Sequence, residues 1–244
     1  MTEEGLVSRA PAVALGGVAL IATVVLASAG IRLGQDDALL AGAVPVFRLV
    51  HRGAATLGAF AALVMVVLAW RGRRDGPRFW RISCVVALLT LVLAVVGAAG
   101  GARPPLAIAA VNLLGGLALL VSYAVALGEA RGEPAGAGAG RSLLVPLLGL
   151  QVLLGAAVAL GGKQDLALGL HGTVGVGLCG LLAWFALRPG VPAGRSAMAL
   201  GAAGALLAGM TALQFPQSAA VALAHAATVA LLLVAAGFAL GRGS

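Results

Sequence analysis

The sequence predicts an all-α membrane protein with eight transmembrane helices, arranged as two pseudo-symmetric four-helix bundles. The chain of 244 residues is 61% hydrophobic and only 10% charged. A water-soluble domain cannot bury so large an apolar fraction, whereas a membrane protein exposes it to lipid. In addition, the apolar residues fall into eight stretches of about the 20 residues that a membrane-spanning helix needs, and the two halves share a pattern around their histidines.

The eight predicted helices, numbered in chain order, span residues 11–31, 46–70, 82–101, 105–127, 143–161, 166–187, 196–213 and 219–240. Pro45 and Pro105 lie where helices 2 and 4 begin, and proline suits a first helical turn. Cys84 and Cys179 both lie inside apolar stretches, so we expect no disulfide.

Basic residues predict the orientation. Eleven of the 16 lysines and arginines fall on one side of the predicted helices, many of them in the loop RGRRDGPRFWR, and five fall on the other. The positive-inside rule then places both termini in the cytoplasm. The net charge of +8 reflects these loops, and we expect no nucleic-acid partner. The expected location is the lipid bilayer of a bacterial or archaeal cytoplasmic membrane.

The chain divides into two similar halves, residues 1–128 and 142–244, joined by a Gly/Ala-rich linker at 129–141. LGQDDALLAGAVPVFRLVHRGAATLG in the first half corresponds to LGGKQDLALGLHGTVGVGLCG in the second. Four helices per half, with the same direction in the membrane, predict a parallel repeat about an axis along the membrane normal.

The three histidines of the chain lie near the starts of helices 2, 6 and 8, at about one depth. They are His51, His171 and His225, and the fourth equivalent position, in helix 4, is Asn112. Two imidazoles on facing helices can bind the iron of a b-type heme, and small residues beside them leave room for the porphyrin. We therefore predict heme b between His171 and His225, and His51 as the heme ligand of the first half.

Other interpretations stay open for these residues. Small residues also serve close helix packing, and a lone intramembrane histidine can simply hydrogen-bond a neighbouring helix. An amide oxygen binds heme iron poorly, so Asn112 is predicted to hydrogen-bond between helices.

The sequence resembles the heme A synthase family over nearly its whole length. The residues that carry the resemblance are His51-Arg52, Gln151, Leu154-Gly155, His171 and His225. The resemblance implies a membrane enzyme that oxidises the methyl group of heme O to the formyl group of heme A for terminal oxidases. It implies a b-type heme in the C-terminal half and the substrate heme in the N-terminal half. Heme O synthase and a terminal oxidase complex are the partners it implies.

The chain departs from the family pattern in its first half. Asn112 replaces the histidine of helix 4, and Arg48 stands near the place of an acidic residue before His51. The nearest carboxylates, Asp36 and Asp37, lie further upstream, and the family's outer-loop cysteine pair is missing. A single ligand, His51, would leave one iron face open, which suits oxygen or substrate chemistry.

Four basic residues are candidates to bind the heme propionates, because arginine binds carboxylates bidentately. They are Arg52, Arg48, Arg32 and Lys163. Arg32 and Arg48 could equally extend to the lipid headgroups. Three functions therefore stay open: a heme A synthase, a non-catalytic b-type heme protein that transfers electrons or serves a respiratory complex as an accessory subunit, and a transporter or assembly factor without heme.

Overall fold

A computed structural model of the chain describes residues 9–73, 76–101, 104–132, 141–161, 165–187, 194–215 and 218–241. Within these ranges the protein is helical and contains no strand. The eight long helices are α1 (Ala10–Asp36), α2 (Val44–Arg71), α3 (Pro77–Gly100), α4 (Leu106–Ala130), α5 (Arg141–Gly161), α6 (Asp165–Leu187), α7 (Gly194–Gln214) and α8 (Ala219–Gly241). A four-residue helix, Ala38–Ala41, lies between α1 and α2.

The predicted all-helical architecture is confirmed, and each of the eight predicted stretches corresponds to one long helix. Two boundaries differ from the prediction by five residues, and the others differ by at most three. Helix α1 continues to Asp36 instead of 31, and α3 begins at Pro77 instead of 82. Charged residues end an apolar stretch, but they need not end the helix that carries it. Pro45 lies in the first turn of α2 as predicted, whereas Pro105 precedes the first residue of α4.

Five helices are long and apolar enough to cross a membrane: α1, α2, α3, α4 and α8. Large apolar side chains face outward on them, and on α3 both Leu88 and Leu91 are 62% exposed. The other three contain shorter apolar segments within the described residues: Val145–Gly161, Leu166–Leu182 and Gly201–Gln214. These helices are consistent with an integral membrane protein, while the number of eight crossings and the side of the termini stay predictions.

The two groups of four helices differ in whether the first and the last helix of the group pack against each other. In the first half α1, α2, α3 and α4 pack in sequence, and α4 returns to pack along α1. In the second half α5, α6, α7 and α8 also pack in sequence, but among the described residues α5 and α8 make no comparable contact. Helix α4 packs along α8, with smaller contacts of α1 with α8 and of α4 with α5. The described part of α4 thus contacts both α5 and α8.

Tyr123 fills the core of the first half. Its side chain is fully buried, its ring packs on Gly17 of α1, and its hydroxyl donates a 2.8 Å hydrogen bond to the Gly58 carbonyl of α2. An interhelical hydrogen bond in lipid contributes about 1 kcal/mol. One aromatic side chain of α4 thus joins three helices.

Glycines allow α4 and α8 to approach closely. Gly237 and Gly241 form a Gly-x-x-x-Gly pair on α8, and Gly241 faces the Val125 carbonyl of α4. A Cβ atom at Gly237 would lie 2.8 Å from the Ala124 side chain, and Gly128 on α4 faces the Phe238 carbonyl. Because lipid is as apolar as the side chains, such backbone contacts provide much of the attraction between membrane helices.

Polar contacts bring several helix ends together. Arg78, at the start of α3, forms a 3.3 Å ion pair with Glu129 near the end of α4. It also donates a 3.2 Å hydrogen bond to the Leu240 carbonyl near the end of α8. Trp70, at the end of α2, packs edge-to-face on Trp80 of α3, with ring centroids 5.3 Å apart. Helices α2, α4 and α8 therefore run in the same direction.

We predict that Gly237→Val destabilises the protein by roughly 1–3 kcal/mol, because the added methyl groups would overlap the α4 side chains and backbone. Unfolding of the purified protein in mixed detergent micelles measures this change. Gly97→Val on α3 is the matched control, since nothing lies within 4 Å of a Cβ atom at Gly97. Equal stability of the two variants would contradict the close α4–α8 contact.

Candidate functional site

The structure brings His171 and His225 together, as the sequence predicted for the second half. Their ring centroids lie 6.2 Å apart and the ring planes are 89° to one another. Each residue lies six positions after the first residue of its helix, Asp165 in α6 and Ala219 in α8. Both rings therefore sit at the same level of the bundle, facing each other across it.

A glycine lies against each imidazole on the neighbouring helix. A Cβ atom at Gly155 of α5 would be 3.0 Å from His171 Cε1, and one at Gly209 of α7 would be 3.3 Å from His225 Cε1. The two glycines thus let α5 and α7 reach the ring edges. Gly155 belongs to the motif singled out from the sequence, whereas Gly209 carries no local signal, because its role depends on how α7 packs against α8.

Three buried polar atoms of this site have no hydrogen-bond partner among the described residues: Nδ1 of His171, Nδ1 of His225 and Oε1 of Gln151. The Gln151 amide nitrogen donates a 3.1 Å hydrogen bond to the His171 carbonyl, which fixes Gln151 beside the same helix. An unsatisfied buried polar group costs about 1–3 kcal/mol. Such groups commonly mark a ligand or water site, and here all three belong to one site.

The separation of the two rings can be compared with that of a bis-imidazole iron site. An iron bonded to one nitrogen of each ring at about 2.1 Å would hold the ring centres about 6.4 Å apart, because each centre lies about 1.1 Å behind its nitrogen. The observed separation is 6.2 Å. Among the described residues no cluster of three or more His, Cys, Asp or Glu side chains could hold a metal ion.

His51 is held differently in the first half. Its Nδ1 lies 3.0 Å from Ser28 Oγ and 3.4 Å from the Val24 carbonyl oxygen, both on α1. Asn112 is half-buried on α4, six positions after Leu106. His51 is not paired with another histidine. Ser28 carried no signal in the sequence, because serine is common in membrane helices and its partner lies 23 residues away.

The basic candidates differ in their surroundings. Arg32 lies one helical turn after Ser28, and Arg48 lies three residues before His51; both are half-buried. They therefore flank the Ser28–His51 contact on the side of the α1–α2 connection. Arg52 is exposed and lies about 100° around the helix from His51. Lys163 lies outside the described residues, and so does the side chain of Asp36.

The chain was compared with protein-family models, with curated proteins and with solved structures, and none of the three comparisons gives a match. The resemblance to the heme A synthase family stays a prediction from the residues and their pattern.

Proposed function

We propose that this protein is an integral membrane heme protein of the heme A synthase type, whose second half binds a b-type heme through His171 and His225. The observation that carries the proposal is the facing pair of imidazoles, 6.2 Å apart, each with a buried nitrogen that lacks a partner among the described residues. Ionisable residues inside a membrane are costly and usually functional, and iron ligation would satisfy a nitrogen of each ring.

A heme held by His171 and His225 would supply one-electron transfer. Residues of the neighbouring helices hold the imidazole rings of His171 and His225 in place. Gly155 and Gly209 let α5 and α7 pack against the ring edges, and the amide of Gln151 binds the backbone of His171. This packing limits rotation of both rings.

The first half is proposed to hold the substrate heme with His51 as its single protein ligand. Arg32 and Arg48 are the better-placed partners for the propionates, since both are half-buried and flank the Ser28–His51 contact. The exposed Arg52 and Lys163 remain candidates for the same role. If heme O were held there, conversion of its methyl group to the formyl group of heme A would take up the oxygen of one water and release four electrons and four protons, so the reaction would require an external oxidant such as O2.

A second candidate function is a non-catalytic b-type heme protein, an electron carrier or accessory subunit of a respiratory complex. Arg48, half-buried one turn before His51, favours it. A carboxylate can accept a proton from a reacting group, whereas an arginine, always protonated, cannot. The second-half site is the same in both functions.

The proposed setting is a bacterial or archaeal cytoplasmic membrane, crossed eight times, with both termini in the cytoplasm. The common direction of α2, α4 and α8 and the basic loops support this topology. Heme O synthase and a terminal oxidase complex are the proposed partners.

We predict that His171→Ala and His225→Ala each abolish the low-spin b-type spectrum, because each leaves the iron with one protein ligand. The optical spectrum of the reduced protein and a pyridine hemochrome assay measure the loss. His51→Ala is the matched control and should leave the second-half heme in place. A colourless wild-type protein, or an unchanged low-spin spectrum in both variants, would refute the heme proposal.

The first-half site should bind its heme as a high-spin species, or lose it on purification, because Asn112 does not ligate iron. Asn112→His should supply a second imidazole and convert this site to a six-coordinate, low-spin one. Electron paramagnetic resonance distinguishes the two spin states. Two equally stable low-spin hemes in the wild type would show that the one-ligand description is wrong.

Conversion of heme O to heme A should be slow or undetectable, because no carboxylate stands one turn before His51. Co-expression with a heme O-producing enzyme, followed by chromatography of the extracted hemes, measures the product. The second-half heme serves as the internal control for folding. Strong accumulation of heme A would favour the enzyme over the accessory subunit.

A further inference from the structure

The hydrogen bonds of His51 distinguish its two ring nitrogens. Nδ1 faces two oxygen atoms of α1, Ser28 Oγ at 3.0 Å and the Val24 carbonyl at 3.4 Å. Ser28 lies four residues after Val24, so both oxygens belong to one face of α1, one turn apart. The two contacts together hold one edge of the imidazole against α1.

The carbonyl decides which nitrogen carries the proton. A carbonyl oxygen only accepts hydrogen bonds, whereas a serine hydroxyl can donate or accept. Both contacts are favourable only when Nδ1 carries the hydrogen. If Nε2 carried it, the lone pair of Nδ1 would face the lone pairs of the Val24 oxygen. A neutral imidazole has one N–H, so Nε2 then keeps its lone pair and can bind a metal.

The second half has only part of this arrangement. The backbone of Gln151 on α5 lies within hydrogen-bonding reach of the His171 imidazole, as the Val24 carbonyl does for His51, but the residue one turn later on α5 is Gly155, which has no side chain to offer. Nδ1 of His171 has no hydrogen-bond partner among the described residues. The two sites thus differ in two places. One is the helix that precedes the histidine-bearing helix, α1 or α5, and the other is the position of Asn112, where the second half has His225.

We propose that Ser28 is a positioning residue of the first-half site, which together with the Val24 carbonyl holds His51 in the Nδ1–H form and keeps Nε2 as the ligand nitrogen. That the metal bound by Nε2 is heme iron rests on the proposed function. Ligating histidines commonly donate their other N–H to a carbonyl or a similar acceptor, which fixes the ring and raises the basicity of the ligand nitrogen. Because no second histidine lies across this bundle, the orientation of the His51 ring alone determines whether Nε2 can bind the iron.

The tautomer can be measured without heme. Full-length protein from heme-depleted cells, with ¹⁵N-labelled histidine and in lipid nanodiscs, gives signals from only three histidines, and His51→Gln identifies the one of interest. We expect the wild type to show His51 with its proton on Nδ1, Ser28→Ala to show a mixture of both forms, and Ser28→Thr to restore the wild-type form. Ser122→Ala is the control, because the hydrogen bond described for the Ser122 hydroxyl lies within its own helix, to the Ala118 carbonyl.

A second arm measures heme. Ser28→Ala should weaken heme retention by the first half about 10–100-fold and leave the second-half spectrum unchanged, as expected for the loss of an outer partner of a ligand. His51 protonated on Nε2 in the wild type, or a tautomer unaffected by Ser28→Ala, would overturn the role of Ser28. If the first half never binds heme, the function proposed for that half is refuted. The tautomer measurement does not depend on heme, so it distinguishes this failure from a failure of the role proposed for Ser28.

Discussion

A lipid bilayer supplies no hydrogen-bond partners, so polar groups at depth must be satisfied by the protein itself. The described backbone meets this requirement by being almost entirely helical. Hydroxyl groups meet it locally, as where Ser83 and Thr90 donate to carbonyls one turn earlier in α3, or across helices, as Tyr123 does to Gly58. Against this background the buried atoms without a partner are informative, and those found all belong to His171, His225 and Gln151.

Glycine has two distinct uses in this protein. Between α4 and α8, Gly128, Gly237 and Gly241 face backbone or small side chains of the opposite helix, and they serve the close packing that holds membrane helices together. Gly155 and Gly209 instead face imidazole rings. Small residues that lie against an imidazole ring and small residues that only pack helices look alike in sequence, and only the atom they contact distinguishes them.

The two halves place their polar groups differently. In the first half α1 and α4 close the bundle, Tyr123 fills its core, and the histidine is hydrogen-bonded to α1. In the second half the described parts of α5 and α8 make few contacts with each other, and Nδ1 of His171 and Nδ1 of His225 have no hydrogen-bond partner among the described residues. Under the proposed function the two halves would therefore hold heme through different donors, His51 alone in the first and His171 with His225 in the second.

The sequence by itself determined the class of protein, the eight helices and the common position of the histidines near helix starts. These follow from local properties: the length of an apolar stretch and the place of charges and prolines. The heme and its chemistry stay predictions. Only the tertiary structure decided how far apart His171 and His225 lie, that Ser28 bonds His51, and that Gly209 lies against a ring. Each of these contacts joins different helices, and it depends on how the helices rotate and pack, which no local pattern of apolar residues specifies.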